Sequence, residues 1–244
     1  VRLPRLHVPG PLAAGDRQLD DDAAHYLLRV LRRRVGDPLI VFDGEGTLAP
    51  AELVDAGRRR CVIRLGAAEA DRVESGLALH LGLALARGER MDLALQKACE
   101  LGVGRISLLQ TERVELKLDA RRLENRMRHW QGVLVHAAQQ SGRSRIPRLD
   151  PPREMDAFVA DLPEGGARLA LDPEGAPLTA TGDVAPKAAV LVTGPEGGLS
   201  EGDLEQLDAG DFRRTRLGPR ILRAETAPLA ALAVVQWLWG DLAR

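Results

Sequence analysis

Leu191-Val-Thr-Gly-Pro-Glu-Gly-Gly-Leu-Ser200 and Leu217-Gly-Pro-Arg-Ile-Leu-Arg-Ala-Glu-Thr226 are the stretches from which the rest of the chain can be read. The first follows a run of buried-strand character, Ala188 to Val192, and turns through Gly194, Pro195, Gly197 and Gly198 towards a helix. Ser200, with Asp203 three positions on, reads as a helix cap and its acidic partner ahead of Leu204 to Leu207. The glycines let backbone amides and carbonyls approach a ligand with no Cβ in between. The second stretch leaves a strand predicted over Phe212 to Leu217 through Gly218-Pro219. It enters a helix capped by Thr226, with Pro228 in the first turn and Gly240 as its stop.

A strand, a glycine loop and a helix make a common turn, and most such loops bind nothing. Neither stretch has the spacing of a dinucleotide fingerprint or the lysine of a phosphate-binding loop. Together and in this order, however, the two resemble the cofactor loops of the SPOUT class of RNA methyltransferases, whose C-terminal chain forms a deep trefoil knot, a feature nearly absent elsewhere. GPEGG followed by LGPRILRAET is similar, more narrowly, to the RsmE family, which methylates N3 of a uridine in 16S ribosomal RNA. Arg87-Gly-Glu-Arg-Met91, Gln96-Lys97, Glu100-Leu-Gly-Val103, Glu112-Arg113, Lys117-Leu-Asp119 and Gln140-Ser-Gly-Arg143 fall in the family's order. So do His25 and Val30-Leu-Arg32, and the resemblance covers nearly the whole chain.

At 244 residues, with 45% hydrophobic and 28% charged side chains, the chain has ordinary globular composition and length for one large and one small domain. Cys61 and Cys99 are far apart and suggest neither a disulfide framework nor zinc, and the five histidines show no metal-like spacing. No apolar leader follows Val1-Arg-Leu-Pro-Arg and no run approaches a membrane span, so a cytoplasmic protein is expected. The net charge of −1 hides an uneven distribution. Residues 1–36 hold seven Arg against four Asp, and residues 113–148 nine basic against three acidic side chains, whereas residues 150–211 hold three basic and fourteen acidic ones. Two basic regions suit a polyanion touching some faces only, and equally suit solvated helix faces.

The order of elements predicts two domains. Residues 1–70 read as a small β-rich domain with a helix from Asp21 to Arg34 capped by Asp20, a hairpin over Leu39–Phe42 and Leu48–Val54, and a strand over Cys61–Leu65. The resemblance makes this a PUA-like β-barrel used for RNA. Residues 67–76 read as a linker and 146–166 as a loose connection. Within 71–244, strands at 77–86, 106–109, 168–171, 188–192 and 212–217 alternate with helices at 89–101 and from Leu123 to Gln140, predicting an α/β fold. Its sheet is mostly parallel, with ligand sites beyond the strands' carboxyl ends. Three such ends, at Leu171, Thr193 and Leu217, converge.

The resemblance implies S-adenosyl-L-methionine as cofactor, held by backbone groups at Leu171, Gly194, Gly197, Leu217 and Leu222. Thr193, Pro195, Glu196, Gly198, Gly218, Ile221 and Thr226 complete the cofactor surface, and no metal is implied. The sulfonium is already activated, so catalysis rests on alignment and on the fate of the uridine N3 proton. Arg143 and Arg223 are candidates for anchoring the nucleotide and Glu225 a weaker candidate base. Arg223 and Glu225 also read as a structural ion pair at a helix start. Many relatives have Glu where this chain has Gln139, so a carboxylate at that position is not required. Arg5, Arg29, Arg32, Arg33, Arg87, Arg113 and Lys117 are the expected contacts to small-subunit RNA, since guanidinium groups match phosphate geometry. Enzymes of this class dimerise through the C-terminal helix, where Leu229, Leu232, Ala233, Gln236 and Trp237 form a stripe that would serve equally for packing on its own sheet. A ribosome-associated RNA-binding protein without catalysis is the alternative, and the intact loops argue against it.

Overall fold

The computed structural model describes residues 3–57, 60–86, 88–114, 119–179 and 185–243. The chain divides into two compact units: residues 1–74 with 135–146, and residues 75–134 with 147–244. Among the described residues no helix is long and apolar enough to cross a membrane.

The first unit is built on six strands. β1 (Arg5–His7), β2 (Gly15–Gln18), β3 (Pro38–Phe42), β4 (Thr47–Ala56) and β5 (Cys61–Leu65) lie in the order β1-β3-β4-β5-β2, and β6 (Glu69–Ala70) pairs with β4. The period of two is plain in β4, where Ala49, Ala51 and Leu53 are buried while Pro50 and Glu52 are exposed. They join Leu6, Leu39, Val41 and Ile63 in one core. The expected helix is shorter than its apolar spacing suggested. Asp20 caps α1 (Asp21–His25) by accepting from Ala23 N, and a π-helical turn over Tyr26–Val30 follows, with Leu31 N donating to Tyr26 O. Arg32 then takes φ +53, which ends the helix before Arg32, Arg33 and Arg34.

The expected linker is not loose. Asp71 accepts from Arg5 at 3.3 Å and from the Ser144 hydroxyl, and Glu74 receives both Nε and Nη2 of Arg143, at 3.1 and 2.6 Å. Residues 135–146 thus enter this unit through buried polar contacts; Gln139 Oε1, accepting from His7 N at 3.0 Å, is another.

The second unit holds a six-stranded parallel sheet. Its strands are β7 (Ala78–Ala84), β8 (Arg105–Gln110), β9 (Arg148–Glu154), β10 (Ala167–Pro177), β11 (Ala188–Thr193) and β12 (Arg213–Arg216), in the order β12-β10-β11-β7-β8-β9. The connections are α2 (Glu89–Glu100), α3 (Ala120–Ser141, its residues from 135 onward counted in the first unit), α4 (Met155–Ala160) and α5 (Glu201–Ala209), and α6 (Thr226–Trp239) ends the fold. β9 and α4 replace the expected loose connection. Pro151 and Pro152 are accommodated because β9 is an edge strand paired to β8, with a register shift that leaves both prolines without a ladder duty.

Two further local expectations change. Thr226 is the first helical residue of α6 rather than its cap, and Glu225 occupies the cap position without a side-chain cap bond. On α6 it is Pro228, Ala231, Leu232, Val235, Gln236 and Trp239 that are buried. Gln236, read as the polar member of a dimer stripe, donates instead to Leu101 O at 2.8 Å and accepts from Ser75 Oγ at 3.0 Å. Trp237 and Leu242 remain 62% and 47% exposed. On the other side of the sheet, His80 meets Ser107 Oγ at 2.9 Å, Ser107 donates to Asp150 at 2.8 Å, and Asp150 pairs with Arg105 at 2.6 Å. Burial first, then the charge of Arg105, lowers the His80 pKa to about 4.

Candidate functional site

The parallel strands β10, β11 and β12 all end on one side of the sheet, where α/β folds place their ligands. There the two glycine stretches form the walls of a cavity of about 370 Å³. Leu171, Asp172 and Pro173 come from a register shift in β10, at which Gly175 lies too close to the Arg214–Thr215 backbone for any side chain.

The first wall is Thr193, Gly194, Pro195, Glu196 and Gly198. The loop folds back on itself because Gly198 has φ +71 and its N–H donates to Pro195 O at 2.9 Å. A Cβ on Gly194 would stand 2.7 Å from Leu199 N and 2.8 Å from Gly198 C, so only glycine permits this fold. Arg113 braces the loop from outside, donating to Gly197 O at 2.7 Å and Leu199 O at 3.1 Å. The expected capping box then starts α5: Ser200 N donates to Asp203 Oδ2 and Asp203 N to Ser200 Oγ, each at 2.9 Å. Thr193 is 1% exposed, and its hydroxyl has no hydrogen-bond partner among the described residues.

The second wall is Leu217, Gly218, Ile221, Leu222, Arg223 and Glu225. Gly218 adopts φ +74, and Ile221, 87% exposed, forms an apolar lip. The charged groups of the wall alternate. Arg90 Nη1 lies 2.5 Å from Glu196 Oε1, Arg90 Nε 3.9 Å from Glu225 Oε2, and Arg223 Nη1 3.9 Å from Glu225 Oε1. Glu225 is 16% exposed as a side chain and Arg223 is 81% exposed.

Most of the expected cofactor residues are brought together here. Gly197 and Thr226 are not on the cavity wall: Gly197 faces Arg113, and Thr226 is in the first turn of α6. Arg223 and Glu225 are on it. Arg143 is not; its side chain is 7% exposed and bidentate on Glu74 inside the first unit. Two expected RNA contacts are also engaged elsewhere. Arg5 is 11% exposed, donates to Ser144 Oγ at 2.6 Å and lies over the Phe42 ring, while Arg113 supports the glycine loop. Arg29 and Arg32 are exposed and Arg33 is half-buried. Arg87 and Lys117 lie outside the described residues. Arg90, Asp172 and Arg216 line the cavity without having been singled out as site residues. Arg90 stood within the Arg87–Met91 motif, but nothing in its spacing links it to residues 196 and 225.

A model of the RNA methyltransferase domain family matches residues 73–236, and one of the RNA methyltransferase PUA domain matches residues 19–66. The ribosomal RNA small subunit methyltransferase E of Synechocystis sp. is 34% identical over 219 residues, 88% of this chain and 70% of that protein. Among solved structures, a Legionella pneumophila protein determined in complex with the cofactor SAM aligns with a TM-score of 0.94 at 34% identity, covering 99% of this chain and 100% of that one. The ribosomal RNA small subunit methyltransferase E of Neisseria gonorrhoeae, bound to S-adenosyl methionine, aligns with a TM-score of 0.90, again at 34% identity and with coverage of 99% and 100%.

Proposed function

This chain belongs to the family of RNA methyltransferases that includes the ribosomal RNA small subunit methyltransferases E, and from that premise we propose that it methylates N3 of a uridine in 16S ribosomal RNA with S-adenosyl-L-methionine as donor. The observation that carries the reading is the cavity between the two glycine stretches, in a fold that aligns closely with relatives solved with that cofactor.

The residues present fit such a group. Thr193 offers a buried hydroxyl without a partner among the described residues, and the close folding at Gly194 leaves backbone donors and acceptors on the wall without side chains over them. Backbone groups at Leu171, Gly194, Leu217 and Leu222 are assigned to adenine and ribose, with Thr193, Pro195, Glu196, Gly198, Gly218 and Ile221 around them. When bound, the cofactor supplies an activated methyl group on a cationic sulfur. Glu196 and Glu225 then place negative charge on the walls around that cation. Arg223, largely exposed at the cavity, reaches the incoming nucleotide or its phosphate, and Glu225 receives the N3 proton. Closing the cavity around both partners serves in-line alignment and the exclusion of water.

In this reading residues 1–70 form the PUA-like RNA-binding domain and 71–244 a knotted methyltransferase domain. Arg29, Arg32 and Arg33 contact phosphate, together with Arg87 and Lys117. The strand order supports the knot: the chain passes from β11 beyond β10 to the edge strand β12, then returns through α6, which packs on α2. The exposed apolar groups Trp237 on α6 and Leu242 just beyond it support a homodimer through this helix and its end. The site of action is the cytoplasm.

The test is to map modified uridines in small-subunit ribosomal RNA from cells with and without the protein, and to incubate purified protein with labelled cofactor and either naked RNA or assembled subunits. Loss of a single N3-methyluridine in the cells lacking the protein, restored by the purified protein, is expected. Tight RNA binding with no label transferred to either substrate would instead leave a binding protein without catalysis.

A further inference from the structure

Arg90 is the second residue of α2, remote in sequence from both glycine stretches, yet its guanidinium contacts a carboxylate from each. It is 2.5 Å from Glu196 in the first and 3.9 Å from Glu225 in the second. With Arg223 beyond Glu225, the order of charge along the wall is negative, positive, negative, positive. All four residues line the cavity. Two carboxylates on facing walls repel unless a cation stands between them, and the planar guanidinium can serve both with different nitrogens. The fold gives α2 a fixed base for this task, because Met91, Ala94, Leu95, Ala98 and Cys99 of the helix are buried.

We propose that Arg90 is a positioning residue that cross-links the two loops across the cavity and sets their separation for the bound cofactor, an inference that rests on the cavity's assignment to S-adenosylmethionine. Arg90 acts through Glu196 and Glu225. The pairs are roughly half-exposed on the Arg90 side and contribute little to global stability. Their effect falls on ligand binding. Without the cross-link each loop must be ordered by the cofactor itself, at a cost expected to weaken affinity by about five- to tenfold. A lysine at this position keeps the charge but presents one ammonium where two separately directed nitrogens are needed, so it restores binding only in part.

The experiment is titration calorimetry of the full chain with S-adenosylhomocysteine, alongside thermal unfolding and single-turnover methylation. The variants are Arg90→Ala, Arg90→Lys, Glu196→Gln and the double variant Arg90→Ala with Glu196→Gln. Expected are an unchanged unfolding midpoint in every variant, weaker cofactor binding in Arg90→Ala, partial recovery in Arg90→Lys, and a double variant no weaker than Arg90→Ala alone. Wild-type affinity in Arg90→Ala, or losses that simply add in the double variant, overturns the cross-link. Failure of the wild-type protein to bind the cofactor would be a different result and would overturn the assignment of the cavity itself.

Discussion

Gly194→Ala is the smallest change that tests whether the first glycine stretch is a ligand wall. The added methyl would lie 2.7 Å from the amide nitrogen of Leu199 and 2.8 Å from the carbonyl carbon of Gly198. Both are backbone atoms, so no rotamer change relieves the contact, and ordinary spacing near 3.4 Å requires the loop to open by roughly 0.7 Å. Overpacking of this kind costs about 1–3 kcal/mol. The proposed cofactor wall is the loop in this conformation, so the cost is expected in affinity, as a loss of roughly 5- to 150-fold. Calorimetry with S-adenosylhomocysteine reads this directly, and thermal unfolding without ligand separates it from misfolding. Gly197→Ala is the internal comparison: its Cβ would meet Arg113 Cδ and Cβ at 3.5 and 3.6 Å, ordinary contact, so affinity should stay within about twofold. Equal affinities for the two variants, both folded, would refute the reasoning from loop geometry.

Charge reversal at Arg32 and Arg33 should flatten the log–log dependence of RNA affinity on salt by about 0.7 to 0.9 for each phosphate no longer neutralised, with cofactor affinity intact; an unchanged slope would leave these side chains merely solvated. The His80 pKa is lowered from 6.5 to about 4, so between those values the unfolded chain binds the extra proton. The neutral ring's contribution is therefore complete above pH 6.5 and lost as the pH falls towards 4, by about 2 kcal/mol between pH 7.5 and 5. Urea midpoints at the two pH values should show this loss, and His80→Gln should remove that part of it. Arg143→Ala strands Glu74, which is 23% exposed as a side chain, and should destabilise the fold by about 2–3 kcal/mol, at the low end for a broken buried pair. Urea unfolding should show it, with Glu74→Gln added to Arg143→Ala recovering part of the loss. Wild-type stability together with a lost single-turnover rate would return Arg143 to the chemistry.

What could be read from the sequence was what depends on neighbours along the chain. The capping box at Ser200 and Asp203, the hairpin through Asp43–Gly46 and the glycine turns are decided within a few residues, and each has the residue type its geometry demands. What such reading leaves open is a side chain whose partner comes from afar. Arg5 was expected on RNA and Arg143 on the target nucleotide, and only the fold brings Asp71 and Glu74 to them. Residues 67–76 read as a linker because they are polar and small, and the same two carboxylates tie them down. Residues 146–166 read as a loose connection because sequence does not say that β9, with Pro151 and Pro152, will be an edge, where missing donors cost little. Arg90 is the converse case, since it reached the cavity only because α2 packs where it does. A charged residue therefore has no fixed role until the fold supplies its counter-charge. In this chain, arginines quoted in the same run of motifs end as a fold clamp at 143, a loop brace at 113 and a cavity wall at 90.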